Sequence, residues 1–193
     1  YSLANGLASD MVYSITEDKY GNIWMGTKEG ASKLTVATGA IRNYTTNDGL
    51  GGNHIYRIFK DKKGLLWIGA LGGNLCMYDG TTFKRYDESN GLKHRFILCI
   101  NEDSKGNIWF GCYGGGLYKY DGKNFYNFNN KQGLNCESPF SIVTDAQDNI
   151  WMGTNHGIEK FDVAKNKFTL YGRNDGFMGV ECNPNSACLD KVG

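Results

Sequence analysis

Apolar and polar residues alternate along this chain in short runs of five or six, separated by clusters of glycine, asparagine and aspartate. The first clear run, residues 11–16, mixes β-branched and aromatic residues in Val12-Tyr13-Ser14-Ile15. The turn Asp18-Lys19-Tyr20-Gly21-Asn22 follows; Gly and Asn tolerate the positive φ that a tight hairpin demands. A second run covers 23–27, and the glycine-bearing loop Lys28-Glu29-Gly30 leads to a third over 31–36. After Ala37-Thr38-Gly39 comes a fourth run over 40–44. Four strands of this length with their turns need about 40 residues, the size of one propeller blade.

The plan then recurs. Asp18-Lys19-Tyr20-Gly21-Asn22-Ile23-Trp24-Met25-Gly26 returns as the stretches 61–69, 103–111 and 145–153, so that Trp24, Trp67, Trp109 and Trp151 occupy one repeat position at spacings of 43, 42 and 42. A Gly-Leu or Gly-Phe pair precedes each block, at Gly6, Gly49, Gly91, Gly133 and Gly176. An aromatic stands five residues earlier, at Tyr1, Tyr44, Tyr86, Phe128 and Tyr171. A fixed period of about 40–50 residues marks a propeller, a solenoid or an array, and the four-strand plan selects an all-β propeller. The pairs Asp79-Gly80 and Asp121-Gly122 are strong hairpin signals between third and fourth strands. The blades fall at roughly 8–50, 51–92, 93–134 and 135–177, with a partial blade over 178–193 in which Asp190 to Gly193 matches Asp18 to Gly21. An open arc leaves two blade faces uncovered, so the repeat phase predicts a piece of a larger ring, with further blades or a second chain covering its ends.

Composition narrows the function classes. The chain has 193 residues, a net charge of +1 and charges of both signs scattered along it, which leaves no basic footprint for nucleic acid. No run approaches the length of a membrane-spanning helix. The six cysteines form no CxxC and share no repeat position, which excludes an ordinary zinc site; Cys76, Cys99 and Cys112 lie in strand-like contexts where a free thiol packs as a small hydrophobe.

The pattern from Gly49-Leu50 through Asp61, Trp67-Ile68-Gly69, Gly73, Tyr78-Asp79-Gly80 and Phe83-Lys84-Arg85-Tyr86 resembles the two-component regulator propeller repeat, and the resemblance covers nearly the whole chain. In that family such repeats build large propellers, often seven-bladed, in the periplasmic sensor regions of bacterial membrane sensors. Many are hybrid two-component regulators of polysaccharide use in gut Bacteroidetes. The stretch from Gly176-Phe177 to Asp190 looks like the late blade that precedes the family's immunoglobulin-like domain. The resemblance implies a periplasmic ectodomain sensing oligosaccharide, a homodimer in the full protein, and kinase activity only outside this segment.

The residues themselves call for no catalytic group, cofactor or metal. His54, His94 and His156 form neither HxxxH nor HExxH, and no phosphate-binding glycine loop or G-x-S-x-G occurs. The repeated Trp reads as core packed between neighbouring blades rather than as a sugar platform. Asp18, Asp61, Asp103 and Asp145 lack the dense oxygen set of a calcium loop and read as turn caps. Binding groups are sought instead where the repeat is broken. In a propeller the connectors between blades and the second-to-third strand loops open on one face, and here His54, Arg95, Tyr113, Glu137, Asn155 and His156 vary on a constant scaffold. Arg57 stands on an innermost strand where other repeats carry Ser14, Cys99 and Ser141, placed to point into the channel. These seven are the candidate ligand-binding residues, against the simpler reading of solvated surface. Two further functions stay open: a propeller lyase using His156 with Glu137 at the mouth, and a structural dimerisation scaffold.

Overall fold

The computed structural model describes residues 1–94, 96–177, 182–183 and 186–188. Most of the partial blade expected over 178–193 lies outside the described residues, as does Arg95. The chain divides into two compact units, 1–97 and 98–193. In the first, β1 (Val12–Glu17), β2 (Ile23–Thr27), β3 (Gly30–Thr35) and β4 (Ala40–Tyr44) pair antiparallel in chain order. A second sheet follows with β5 (Ile55–Lys60), β6 (Leu66–Ala70), β7 (Leu75–Tyr78) and β8 (Phe83–Tyr86). The second unit repeats the plan with β9 (Ile97–Glu102), which begins at the boundary, β10 (Ile108–Cys112), β11 (Gly116–Tyr120) and β12 (Phe125–Phe128), then β13 (Ser141–Thr144), β14 (Ile150–Thr154), β15 (Gly157–Asp162) and β16 (Lys167–Tyr171). These four antiparallel sheets are blades of a β-propeller.

In the first blade β2 and β4 have the bounds read from the sequence, whereas β1 and β3 are displaced by one residue. Gly30 belongs to β3 because it pairs with Thr27, whose hydroxyl donates to the Gly30 carbonyl at 2.8 Å and closes a two-residue loop. Thr35 ends the same strand because its carbonyl accepts from Gly39 N–H at 2.8 Å. Val12 lies across a bulge from Ser14, which shifts the start of β1.

Each repeated aspartate joins its hairpin turn to the blade core. The Asp18 carboxylate accepts from the backbone N–H of Tyr20 (2.8 Å) and Asn22 (2.9 Å) and from the indole Nε1–H of Trp24 (3.0 Å). Asp61 and Trp67, Asp103 and Trp109, and Asp145 and Trp151 repeat the arrangement, with indole distances of 2.9, 2.9 and 2.8 Å. The end-of-blade aromatic then stacks on the indole: Tyr44 on Trp24, Tyr86 on Trp67, Phe128 on Trp109 and Tyr171 on Trp151, at centroid separations of 5.0–5.8 Å. Trp24 and Trp109 are fully buried and Trp67 nearly so, as the core reading requires; Trp151 is half-buried.

The Gly-Leu marker has its own cause. Each is preceded by a single 3₁₀ turn, such as Thr46–Asp48, that ends on a glycine in the left-handed region (φ 110° at Gly49). The leucine that follows plugs the core: Leu7, Leu50, Leu92 and Leu134 are all buried. The glycine two residues after each Trp serves close packing. A Cβ on Gly69 would stand 2.6 Å from Ile97 Cβ, and one on Gly26 would stand 2.8 Å from Ile55 Cγ2 on the next blade. In the first unit Ser14 on β1 ties the two blades, its hydroxyl accepting from Ile58 N–H at 3.0 Å.

Two outcomes test this core. Trp109→Phe keeps an aromatic ring but removes a buried hydrogen bond to a carboxylate and part of the buried indole, and should cost at least about 1.5–3 kcal/mol by urea denaturation; a loss within error of zero would break the argument. Burial alone would raise Asp18 and Asp145, but hydrogen bonds from the indole, the asparagine side chain and the turn amides outweigh it and hold both below their ordinary value of 3.8. Carboxylates with a depressed folded value contribute stability above the unfolded value and lose it as pH falls through the folded one. Stability measured against pH should therefore decline below pH 3.8, and Asp18→Asn should flatten that decline.

Candidate functional site

In the second unit the β10–β11 turn, the β12–β13 connector and the β14–β15 turn converge, and backbone hydrogen bonds fix them. Gly116 N–H donates to the Glu137 carbonyl (2.9 Å), Gly114 N–H to Ser138 Oγ (2.9 Å), and Phe140 N–H to the Gly153 carbonyl (2.9 Å). The β14–β15 turn is closed as in the first blade: Thr154 Oγ1 donates to the Gly157 carbonyl (2.9 Å) and accepts from His156 N–H (3.0 Å). These loops enclose a cleft of about 430 Å³.

Four of the seven candidate residues share this cleft: Tyr113, Glu137, Asn155 and His156 all line it, with exposed side chains. Gly114, Asn135, Ser138 and Phe140 complete the lining. Asn135 and Ser138 stand with Glu137 in the connector between blades, but only Glu137 was among the candidates. Phe140 escaped notice because it stands where Tyr13 and Tyr56 stand, and reads as one more strand aromatic.

His54 and Arg57 belong to the first unit and do not line the cleft. The His54 ring packs against Tyr13 (4.9 Å between centroids) and Tyr56 (5.8 Å), and Tyr13 stacks on Tyr56 at 4.9 Å and 13°. Nε2 of His54 is buried without a hydrogen-bond partner among the described residues. Burial, and then Lys28, lower the His54 imidazole, with Glu29 opposing them. His54 is thus part of an aromatic shelf rather than a solvated loop residue. Arg57 is half-buried on β5, opposite Gly69. Arg95 lies outside the described residues.

None of the six cysteines is in a disulfide among the described residues, and Cys76, Cys99, Cys112 and Cys136 are buried. Burial pushes the Cys76 thiol up to about 11 and Cys112 well above its ordinary value, so neither carries a reactive thiolate near neutral pH. Among the described residues no group of His, Cys, Asp and Glu could hold a metal ion, and no helix is long and apolar enough to cross a membrane.

A second, more apolar groove of about 520 Å³ runs beside β14, lined by Val143, Trp151, Met152, Ile158 and Phe177 among others. It follows the side of Trp151 that leaves this indole half-buried.

The cleft thus sits on a β-propeller assembled from one repeated four-stranded unit. The chain belongs to the two component regulator propeller family, whose repeat matches residues 6–29, 49–72, 91–114 and 133–156. Among solved structures, it is similar to the extracellular domain described as that of the hybrid two component system BT3049 from B. thetaiotaomicron. The two are 27% identical, with a TM-score of 0.84 over 94% of this chain and 26% of that one. The corresponding domain of BT4673 from the same organism is 24% identical, with a TM-score of 0.74 over 86% of this chain and 25% of that one. The chain therefore spans about a quarter of these relatives. Virginiamycin B lyase from Staphylococcus aureus shares the fold alone, at 17% identity and a TM-score of 0.66 over 84% of this chain and 55% of that one. No curated protein matches the chain.

Proposed function

We propose that this chain is the ligand-binding part of an extracytoplasmic sensor propeller, that its ligand is an oligosaccharide held in the cleft of the second unit, and that it binds without catalysing a reaction. The observation that carries the reading is the gathering of Tyr113, Glu137, Asn155 and His156 around one 430 Å³ cleft while the surrounding Asp-Trp-Gly scaffold stays constant. An exposed Tyr ring beside carboxylate, amide and imidazole groups suits a sugar, which offers an apolar ring face and many hydroxyls. Relatedness to extracellular domains of hybrid two component systems supports the sensor role and a periplasmic location. On the same reading the output is carried elsewhere in a longer, dimeric protein. A further blade or a second chain covers the apolar groove beside Trp151, as β5 covers β2 in the first unit.

The test is a thermal-shift screen of the whole extracytoplasmic region against oligosaccharides of defined length. A ligand bound only by the folded state adds about 2.7 kcal/mol at a hundredfold excess over its dissociation constant. One glycan class should shift the midpoint, and Glu137→Ala with His156→Ala should abolish the shift without lowering the unliganded midpoint. No shift across the panel from a well-folded dimer would leave the propeller as an assembly scaffold.

A further inference from the structure

The hydrogen-bonding character of the cleft is set from beneath by a residue that is acidic in this blade alone. At the middle of the third strand the four repeats carry Ser32, Cys76, Tyr118 and Glu159. In the first blade Ser32 Oγ accepts the backbone N–H of Ala8, two residues past Gly6, at 3.0 Å. In the last blade Glu159 takes over this duty: its Oε1 accepts the backbone N–H of Asn135 at 2.9 Å, and in addition the Asn135 side-chain Nδ2 at 2.7 Å. Glu159 is fully buried, and beside Asn135 the Cys136 thiol is a hydrogen-bonding neighbour of its carboxylate. The neighbouring Cys136 thiol is pushed far up, by burial first and then by the Glu159 carboxylate.

Two consequences follow from donor and acceptor chemistry. A carboxylate only accepts, so the Asn135 amide must turn its NH₂ towards Glu159; its second hydrogen faces the Gly133 carbonyl at 3.5 Å. Both donors are engaged within the protein, which leaves the carbonyl Oδ1 as the group Asn135 can offer to a ligand. The cleft wall also carries the Glu137 carboxylate, and among the described residues none that lines it is Lys or Arg. A carboxylate in the wall and another buried beneath it, where salt screens it poorly, give the cleft an acceptor-rich, electronegative character.

Resting on the saccharide-binding reading above, we propose that this cleft selects neutral or amine-bearing sugars rich in hydrogen-bond donors and rejects uronate- and sulfate-bearing ones, with Glu159 as the residue that positions Asn135. A net charge of +1 gives no hint of this selectivity, because its source is two acidic side chains in one place.

The test is calorimetric titration of the whole extracytoplasmic region with tetrasaccharides of gluco, galacto and manno configuration, each prepared in neutral, amine and uronate forms. Within the configuration that binds, the neutral and amine forms should exceed the uronate by at least about tenfold. Glu137→Lys should narrow or invert that ratio. Glu159→Gln retains an acceptor for Asn135 and should leave neutral-form affinity within about twofold while weakening the amine form several-fold, a split that a merely structural role would not produce. Asn135→Ala, which spares the buried carboxylate, should weaken all forms. A uronate bound as tightly as its neutral counterpart, with binding lost in Asn135→Ala, would overturn the charge selectivity and leave the saccharide site standing. No binding by any form, or binding indifferent to the cleft substitutions, would overturn the saccharide reading and this inference with it.

Discussion

The structure depends on the hydrogen bond between a turn aspartate and the indole six residues later. A single carboxylate closes the hairpin by accepting two turn amides and fixes the largest core side chain by accepting its Nε1–H. Neither task is easily done alone. A buried carboxylate is costly unless its oxygens are satisfied, and a buried indole needs a partner for its N–H. Joined, each meets the other's requirement. Lysines lie over the same rings, Lys33 on Trp24, Lys119 on Trp109 and Lys160 on Trp151, and cover the indole face with apolar stem and charged head. With the indole fixed, the end-of-blade aromatic can stack on it, and the fourth strand is held in place.

This arrangement leaves the loops at the other end of the hairpins unburdened. The Asp turn joins the first and second strands, whereas the β10–β11 and β14–β15 turns lie at the opposite end of β10 and β14. Substitutions there do not disturb the Asp-Trp tie. Thr154 and Thr27 close their turns in the same way, and between the threonine and the glycine lie Asn155-His156 in one case and Lys28-Glu29 in the other. The frame specifies the turn and leaves the two outward residues free to vary. A cleft can therefore arise at one blade junction while the Asp-Trp tie of the supporting repeat stays unchanged.

Much of the fold was legible from the chain because one constraint is written four times. The four-strand plan, the core role of the tryptophans and the turn role of the aspartates all follow from a period of 42 or 43 residues. The link between that Asp and that Trp was not drawn from the sequence, although their constant spacing of six was the available signal. The candidate cleft was legible in part, for a physical reason. Tyr113, Glu137, Asn155 and His156 stand out as changes in exposed loops, where variation is informative. Asn135 draws its meaning from a partner 24 residues away that lies within a strand. Glu159, read along β15, is one charged residue beside Lys160, and alternation alone does not reveal that it faces inward. His54 was placed by its loop position, whereas its surroundings are set by Tyr13 and Tyr56, aromatic side chains that repeat periodicity assigns to strands without giving their direction.

Glu159 also poses a question of cost. The first blade shows that a serine suffices to receive the connector amide at this position. A glutamate does the same work while burying a carboxyl group, which is costly wherever its oxygens are not fully satisfied. Core packing offers no return for this, since Cys76 and Tyr118 fill the equivalent position with apolar or aromatic bulk. What the glutamate adds is a second hydrogen bond, to a side chain that lines the cleft. Departures from the cheapest local solution concentrate where a protein binds or reacts. The chain has four equivalent positions at which to depart from its own repeat, and it does so in this way under the cleft.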